Sequence, residues 1–294
     1  MRARWQEWQD LSRMFTGHVL TAPLHHLFNR LPHWEYGLAR PQLTRLHCTH
    51  ARLAGRRAVH LTDLHLDRYQ IRHDKTIRIV ADLKPDWIFI TGDLLNVRSG
   101  LPSLFRFLAG LRWIAPLYMT LGNHDHYSGV PVDEFASLAD RHKITLLVNQ
   151  TTTLQVNGGE LAIIGVDDPS LHRARLDQVP SPHPDRFTLL LAHAPNILQI
   201  LHDGHHLDLI LTGHSHGGQW RPPYLRPFWL PPGCAGKVGG LYEVGRHRLY
   251  VNRGLGWSAL PLRWNCPPEV LLIEWKERVT GQSSSVNRGI GSRS

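Results

Sequence analysis

Trp87-Ile-Phe-Ile-Thr-Gly-Asp93 is the stretch whose reading decides the fold class. An apolar run of strand length ends in a glycine and then a carboxylate, so a buried strand delivers a charged side chain to its carboxyl end. The same arrangement lies on either side of it. Upstream, Ala58-Val-His-Leu-Thr leads into Asp63-Leu-His65; downstream, Leu117-Tyr-Met-Thr-Leu leads into Gly122-Asn123-His124-Asp125. The steps from Asp63 to Asp93 and from Asp93 to Asn123 are 30 residues each (93 − 63 and 123 − 93), the length of one strand-helix-strand unit. The segments between carry helical patterns, through Thr76-Ile-Arg-Ile-Val-Ala-Asp-Leu83 and over Leu104 to Trp113. Strand and helix therefore alternate, which predicts an α/β chain with a parallel sheet whose carboxyl edge collects the polar motifs.

The second half reads differently. A helix over Val132 to His142 is followed by β-like runs at Ile144–Val148, Thr152–Val156, Leu161–Val166 and Phe187–Leu191, separated by turn residues such as Asn157-Gly-Gly, and these predict a second sheet. His193 follows the apolar run Thr188-Leu-Leu-Leu-Ala, and Gly213-His214-Ser-His216 follows Leu207-Asp-Leu-Ile-Leu-Thr. Strands at Leu241–Val244, Arg248–Asn252 and Val270–Trp275 close the domain, and Thr44-Arg-Leu-His-Cys-Thr-His alternates as an edge strand before it opens. The expected organisation is an amphipathic extension over 1–42, one domain over 43–278 and a Ser-, Gly- and Arg-rich disordered tail over 279–294.

Composition narrows the functional classes. A chain of 294 residues with 42% hydrophobic residues can bury one large core. Lys plus Arg number 33 against 24 acidic residues, a formal charge of +9 that favours phosphate groups, nucleic acid or anionic lipid as partners. Three cysteines, Cys48, Cys234 and Cys266, form no CxxC and imply neither a disulfide framework nor a thiolate zinc site, which fits a reducing, cytoplasmic setting. No apolar run approaches the roughly 20 residues of a membrane span, and no secretory signal is expected.

The motifs supply carboxylate, amide and imidazole groups of the kind two adjacent cations require. Asp63 and His65 stand one residue apart, and in an extended segment both side chains project to one side. The expected sharing places Asp63, His65, Asp93 and His216 on a first cation and Asp93, Asn123, His193 and His214 on a second, with Asp93 bridging. Oxygen and imidazole without thiolate suit Mn²⁺, Fe or Zn²⁺ better than Ca²⁺. Two such cations acidify a bridging water to a hydroxide nucleophile and stabilise charge developing on a phosphate. His124, beside a ligand, is expected to protonate the departing oxygen or stabilise the transition state, with Asp125 fixing its tautomer.

In this order the motifs resemble the calcineurin-like metallophosphoesterase superfamily, whose Asp-x-His, Gly-Asp, Gly-Asn-His-Asp/Glu, His and Gly-His-x-His pattern is complete across residues 60–219. The resemblance implies a four-layer αββα sandwich of two mixed sheets, a dinuclear centre, hydrolysis of phosphomonoesters or phosphodiesters, and His124 next to the leaving group. The stretches Gly239-Gly-Leu-Tyr-Glu-Val, Leu249-Tyr-Val-Asn-Arg-Gly-Leu-Gly, Leu262-Arg and Pro267-Pro-Glu-Val are similar to bacterial YkuE-type phosphodiesterases. Relatives of that type include enzymes that split the pyrophosphate of UDP-2,3-diacylglucosamine, which makes a lipid-linked substrate an expectation.

Several features keep two readings. Trp5, Trp8, Leu11, Phe15 and Val19, with Arg2, Arg4 and Arg13 between them, predict a basic amphipathic helix that packs on its own domain or lies on an anionic membrane face. Pro222-Pro-Tyr-Leu-Arg-Pro-Phe-Trp-Leu-Pro-Pro-Gly begins shortly after His216 and either packs on its own sheet or lines an apolar rim for acyl chains. Arg68 and Arg72 flank the first motif as a solvated basic face or a phosphate contact. The leading expectation is a phosphodiesterase or pyrophosphatase on a small or lipid-linked substrate at the cytoplasmic side, in peripheral contact with the inner membrane face. The alternatives are a nuclease or nucleotide phosphodiesterase, disfavoured by the absence of alternating basic and aromatic residues, and a non-catalytic scaffold, disfavoured because all seven ligand positions are filled.

Overall fold

The computed structural model describes residues 41–277, apart from 222–224, 226, 228–229 and 259–262. The expected N-terminal helix with Trp5 and Trp8 and the 279–294 tail lie outside the described residues, as do Phe228 and Trp229.

Twelve named strands form two six-stranded sheets. The first holds β1 (Gln42–Thr49), β12 (Glu269–Lys276), β2 (Arg57–Leu61), β3 (Trp87–Thr91), β4 (Leu117–Thr120) and β5 (Thr145–Leu146), in that order. The second runs β10 (Gly240–Val244), β11 (His247–Val251), β9 (Leu209–Thr212), β8 (Arg186–Leu191), β7 (Gly159–Gly165) and β6 (Gln150–Val156). Parallel pairs join β2, β3, β4 and β5, and likewise β7, β8, β9 and β11, so both sheets present the carboxyl ends of central strands at a shared edge. β12 is antiparallel to β2, and β6 and β10 close the second sheet as antiparallel edges.

Period-two alternation decides which face each residue covers. Along β3, Trp87 and Phe89 join the layer between the sheets, with Leu161, Ile163, Leu189 and Leu211 opposite. Ile88 and Ile90 face the other way, into a core shared with Leu104, Phe107 and Phe135 of the helices. Those helices are α1 (Ile71–Leu83), α2 (Leu101–Arg112) and α4 (Val132–Arg141); a short α3 spans Asn123–Tyr127. α1 stops where Lys84 turns left-handed at φ 47, before Pro85. The outer face of the second sheet carries Ile164, Leu190, Ile210 and Leu249, covered by Leu176, Leu207 and Ile197. Ile197 belongs to a 3₁₀ turn, Pro195–Gln199, so among the described residues this outermost layer is loops and one short turn over a two-sheet sandwich.

Two expectations shift. The Ile144–Val148 run, read as part of the second sheet, supplies β5, which pairs with β4 in the first; Ile144 is buried with the helices there. The last strand, β12, returns to the first sheet and lies between β1 and β2. Its residues Ile273 and Trp275 fill the inter-sheet layer while Val270 and Leu272 face the helices, so a two-sided apolar strand occupies a two-sided buried position.

Candidate metal centre

Every motif sits just past a strand. Asp63 follows β2, Asp93 follows β3, Gly122 and Asn123 follow β4, His193 follows β8, and His214 and His216 follow β9. The first sheet meets the second through His193, whose Nδ1 lies 2.9 Å from the Thr91 carbonyl at the end of β3. Gly213 N donates to the His193 carbonyl at 2.8 Å, and His214 N donates to Asp63 Oδ2 at 3.0 Å.

The local backbone is not the extended one expected of Asp63-Leu-His65. Asp63, His65, Asp93, His214 and His216 all have positive φ, between 43° and 68°. Left-handed residues bend the chain sharply after each strand, and Asp and His tolerate that region better than bulky residues do. The bend keeps the loops laced together: Asp63 N donates to the Gly92 carbonyl at 3.1 Å and His65 N to the Asp93 carbonyl at 3.0 Å.

Two groups of buried side chains result. Asp63, His65, Asp93 and His216 bring one potential ligand atom each within 4.8 Å of one another, as do Asp93, His193 and His214. Asp93 belongs to both, with Oδ2 3.5 Å from His65 Nε2 and 3.3 Å from His193 Nε2. His216 Nε2 is 3.4 Å from Asp63 Oδ1 and 3.2 Å from His65 Nε2, while His193 Nε2 is 3.0 Å from His214 Nδ1. Asn123 follows Gly122, where an added Cβ would stand 2.6 Å from Asp93 N and 2.8 Å from His193 Cγ.

Hydrogen bonds at the far side of each ring select the inward-facing nitrogen. His65 Nδ1 faces Asn96 Oδ1 at 2.7 Å, His193 Nδ1 faces a carbonyl as above, and His214 Nε2 faces the Pro232 carbonyl at 2.7 Å. A carbonyl only accepts, so those nitrogens carry hydrogen, and Nε2 of His65 and Nδ1 of His214 present lone pairs inward. Asn123 Oδ1 is buried with no hydrogen-bond partner, as is His216 Nδ1. A buried oxygen without a donor and nitrogens turned toward one another fit a metal site of oxygen and imidazole donors.

The electrostatics point the same way. Burial pushes the Asp63 carboxyl up to about 7 against the pull of His193. Burial would raise Asp93 as well, yet His193, His124 and His65 carry it well below the ordinary carboxylate range. Burial opposes protonation of His193, but Asp93, Asp63 and Asp168 hold its imidazolium well above the usual value. Burial and then His193 bring His214 down to about 4, and burial with His65 and Arg263 holds His216 well below its ordinary value. Without metal, the cluster thus concentrates positive charge on one histidine between its carboxylates, where a cation supplies more.

His124 is partly exposed at the mouth. Its backbone N–H donates to Asp93 Oδ1 at 2.9 Å, and its ring stands edge-on to His65 with centroids 4.8 Å apart. Asp125, expected to orient that ring, does something else. Its Oδ1 accepts from Leu94 N at 2.8 Å and Leu95 N at 3.2 Å, and its Oδ2 accepts from Gly122 N at 2.8 Å, so none of its hydrogen bonds goes to His124. It clamps the loop after β3 to the start of α3, as an acid in a helix's first turn can.

Other expectations find places. The Arg72 guanidinium lies 4.2 Å over the Trp257 ring, while Arg68 is exposed. Of the Pro-rich loop, Pro232 reaches the centre through its carbonyl, and Leu225 is 61% exposed. The sequence reading missed Asn96, and it missed Arg263, a buried guanidinium that donates to the carbonyls of Arg253 at 2.8 Å and Gly256 at 2.9 Å. Gly256 in turn donates to the Asp63 carbonyl at 2.7 Å. An Asn three residues past a Gly-Asp and a lone Arg in a Pro-flanked segment carry no pattern that marks them.

A two-sheet sandwich with carboxylates and histidines of both sheets converging at one strand edge defines a metal-dependent phosphoesterase. The chain belongs to the calcineurin-like phosphoesterase family, whose model matches residues 56–218. It is 32% identical over 229 residues to the metallophosphoesterase YkuE of Bacillus subtilis (strain 168), covering 76% of this chain and 79% of that protein. It is 31% identical over 220 residues to phosphodiesterase YaeI of Escherichia coli (strain K12), covering 73% and 80%. Among solved structures, a 5′-nucleotidase precursor from Thermus thermophilus matches 74% of this chain and 54% of its own at 16% identity, with a TM-score of 0.45. Among the described residues, no helix is long and apolar enough to cross a membrane.

Proposed function

We propose that this phosphoesterase is a phosphodiesterase or pyrophosphatase that works with two divalent cations, Mn, Fe or Zn, on a small or lipid-linked substrate such as UDP-2,3-diacylglucosamine. The observation that carries the reading is the double membership of Asp93, whose carboxylate is in reach of His65 on one side and His193 on the other. Asp63, His65, Asp93 and His216 would hold one cation, and Asp93, Asn123, His193 and His214 the other. When bound, such a pair supplies an activated water as nucleophile and Lewis-acid stabilisation of phosphate oxygens.

The chain's own residues do the rest. Asp93 Oδ1, by accepting from His124 N, places the His124 ring at the mouth beside His65. From there His124 donates a proton to the departing oxygen. Asp125 acts through the backbone, holding Gly122 and the loop after β3 in the positions that Asn123 and Asp93 require. Burial of the ligands excludes water, which strengthens each charge interaction inside.

The diester preference is supported by the name phosphodiesterase borne by YaeI. The lipid-linked reading and peripheral contact with the inner membrane face are supported by the net charge of +9, which favours anionic surfaces. The test is hydrolysis by the full chain with added Mn²⁺ of a chromogenic monoester, a chromogenic diester, cyclic nucleotides and UDP-2,3-diacylglucosamine. Preferential turnover of the diester or diphosphate substrates is expected, and preference for the monoester would refute the reading.

A further inference from the structure

The segment after Asp63 and the segment after Asp93 are joined by side chains that play no part in the chemistry described above. Asn96 is buried, and its Oδ1 accepts from His65 Nδ1 at 2.7 Å. Its Nδ2 donates to Asp67 Oδ2 at 2.8 Å. Asp67 Oδ1 accepts from the backbone of Asn96 at 2.8 Å and of Val97 at 3.1 Å, so this carboxylate is fixed from three directions. Gly100 packs close to the same residue, since a Cβ there would stand 2.9 Å from the Asp67 Cα and 3.2 Å from its Oδ1.

We propose that Asp67 and Asn96 form a positioning relay that locks His65 with its proton on Nδ1 and its Nε2 lone pair toward the first cation. This rests on the metal reading above and deepens it. The chemistry is directional. An amide has one accepting and one donating end, and a carboxylate only accepts, so Asp67 decides which way the Asn96 amide points. With Nδ2 committed to Asp67, only Oδ1 is left for His65, and an acceptor facing Nδ1 excludes the tautomer that would put hydrogen on Nε2. Such outer partners of a ligating histidine set its orientation and basicity, and their loss lowers metal affinity roughly 10- to 100-fold.

The relay can be separated from scaffolding, because the two segments are also zipped by backbone bonds that survive its removal: His65 N to the Asp93 carbonyl at 3.0 Å and Leu66 N to the Leu94 carbonyl at 2.9 Å. Exchanging the two groups preserves the relay. In the double substitution Asp67→Asn with Asn96→Asp, the amide at 67 still accepts from both backbone N–H groups and donates to the new carboxylate, which still accepts from His65 Nδ1. In Asp67→Asn alone, two NH₂ groups confront each other. The Asn96 amide then turns over and offers His65 a donor, which forces the wrong tautomer.

The test uses the full chain in four forms: wild type, Asn96→Leu, Asp67→Asn and the double exchange. Mn²⁺ and Zn²⁺ affinities are read by competition with a chromophoric chelator, together with metal stoichiometry and the melting temperature of each metal-stripped form. Expected are one cation weakened about 10- to 100-fold in each single variant, the other unchanged, and affinity within about threefold of wild type in the double exchange. Single variants that keep both affinities would overturn the relay. So would a double exchange as weak as Asn96→Leu with its stripped melting temperature lowered equally, the mark of scaffolding alone. A wild-type chain that takes up no divalent cation would instead overturn the metal reading on which the relay depends.

Discussion

Gly122→Ala tests whether the centre depends on the close approach of the two sheets. Gly122 has φ −116° and ψ −178°, a conformation open to any residue, so the substitution introduces no backbone strain. It introduces volume. The added Cβ would overlap Asp93 Oδ1 and stand 2.6 Å from Asp93 N and 2.8 Å from His193 Cγ. Against an ordinary contact of 3.4 Å, Asp93 and His193 must retreat by about 0.8 and 0.6 Å, and neither can do so freely because both are buried at strand ends. Overpacking of this kind costs about 1–3 kcal/mol. The greater effect falls on activity, since displacement of catalytic groups by about 1 Å lowers rates by roughly 10²-fold. Gly129→Ala is the control: nothing lies within 4 Å of its added Cβ, but φ is +78°, so it carries strain without a clash at the centre. The measurements are kcat/KM with a chromogenic diester, bound metal per chain, and thermal unfolding. Gly122→Ala should lose activity and metal while Gly129→Ala loses only about 1 kcal/mol of stability. Wild-type kcat/KM and metal content in Gly122→Ala would show that the centre does not depend on this close approach.

Burial lowers His60 and His73 to about 3 from an ordinary 6.5, so below pH 6.5 the unfolded chain binds protons that the folded chain refuses. Their contribution is fully present above about pH 6.5 and is lost as pH falls toward 3; relative to His60→Gln, which does not titrate, wild type should lose up to about 4 kcal/mol across that window in denaturant titrations. A difference independent of pH would contradict this. Arg263→Lys should cost about 3 kcal/mol and reduce metal content, because an ammonium cannot reach the Arg253 and Gly256 carbonyls that the planar guanidinium spans; unchanged unfolding and metal content would exclude that role. Phe89→Ala, at the centre of the inter-sheet layer, should cost about 3–5 kcal/mol in urea unfolding without altering kcat in the fraction that remains folded.

The parts of the fold that were legible are those whose burial pattern is local. Trp87-Ile-Phe-Ile reads as a doubly buried strand because both its faces are apolar, and Thr44 to His50 reads as an edge because one face is not. What the sequence could not reveal is which sheet a strand joins: the two-residue β5 and the two-sided apolar β12 suit either sheet, and long-range pairing with β4 and β2 decides. The same divide runs through the centre. Residue types and strand-end positions bring Asp63, Asp93, His193 and His214 to notice, whereas the left-handed backbone at Asp63, His65, Asp93, His214 and His216 is invisible in composition. Asp125 misled because adjacency to His124 suggested a partner, but on a helical turn consecutive side chains point apart, and its carboxylate meets amides of another loop instead.

The left-handed residues explain why the centre needs so much buried polar support. Each non-glycine residue held at positive φ costs of order 1 kcal/mol or more, and five gather here. Something must hold them against relaxation. Asp125 fastens the loop after β3 by two backbone N–H groups and the segment after β4 by a third, Asp63 accepts from His214 N, and Arg263 ties the carbonyls of Arg253 and Gly256. Asp125 and Arg263 belong to neither group of candidate ligands, and each is buried where an apolar residue would serve stability better. Their placement is therefore best accounted for by the geometry they impose. They keep the strand ends of both sheets bent inward, so that carboxylates and imidazoles which repel or strain one another on their own stand ready to share cations.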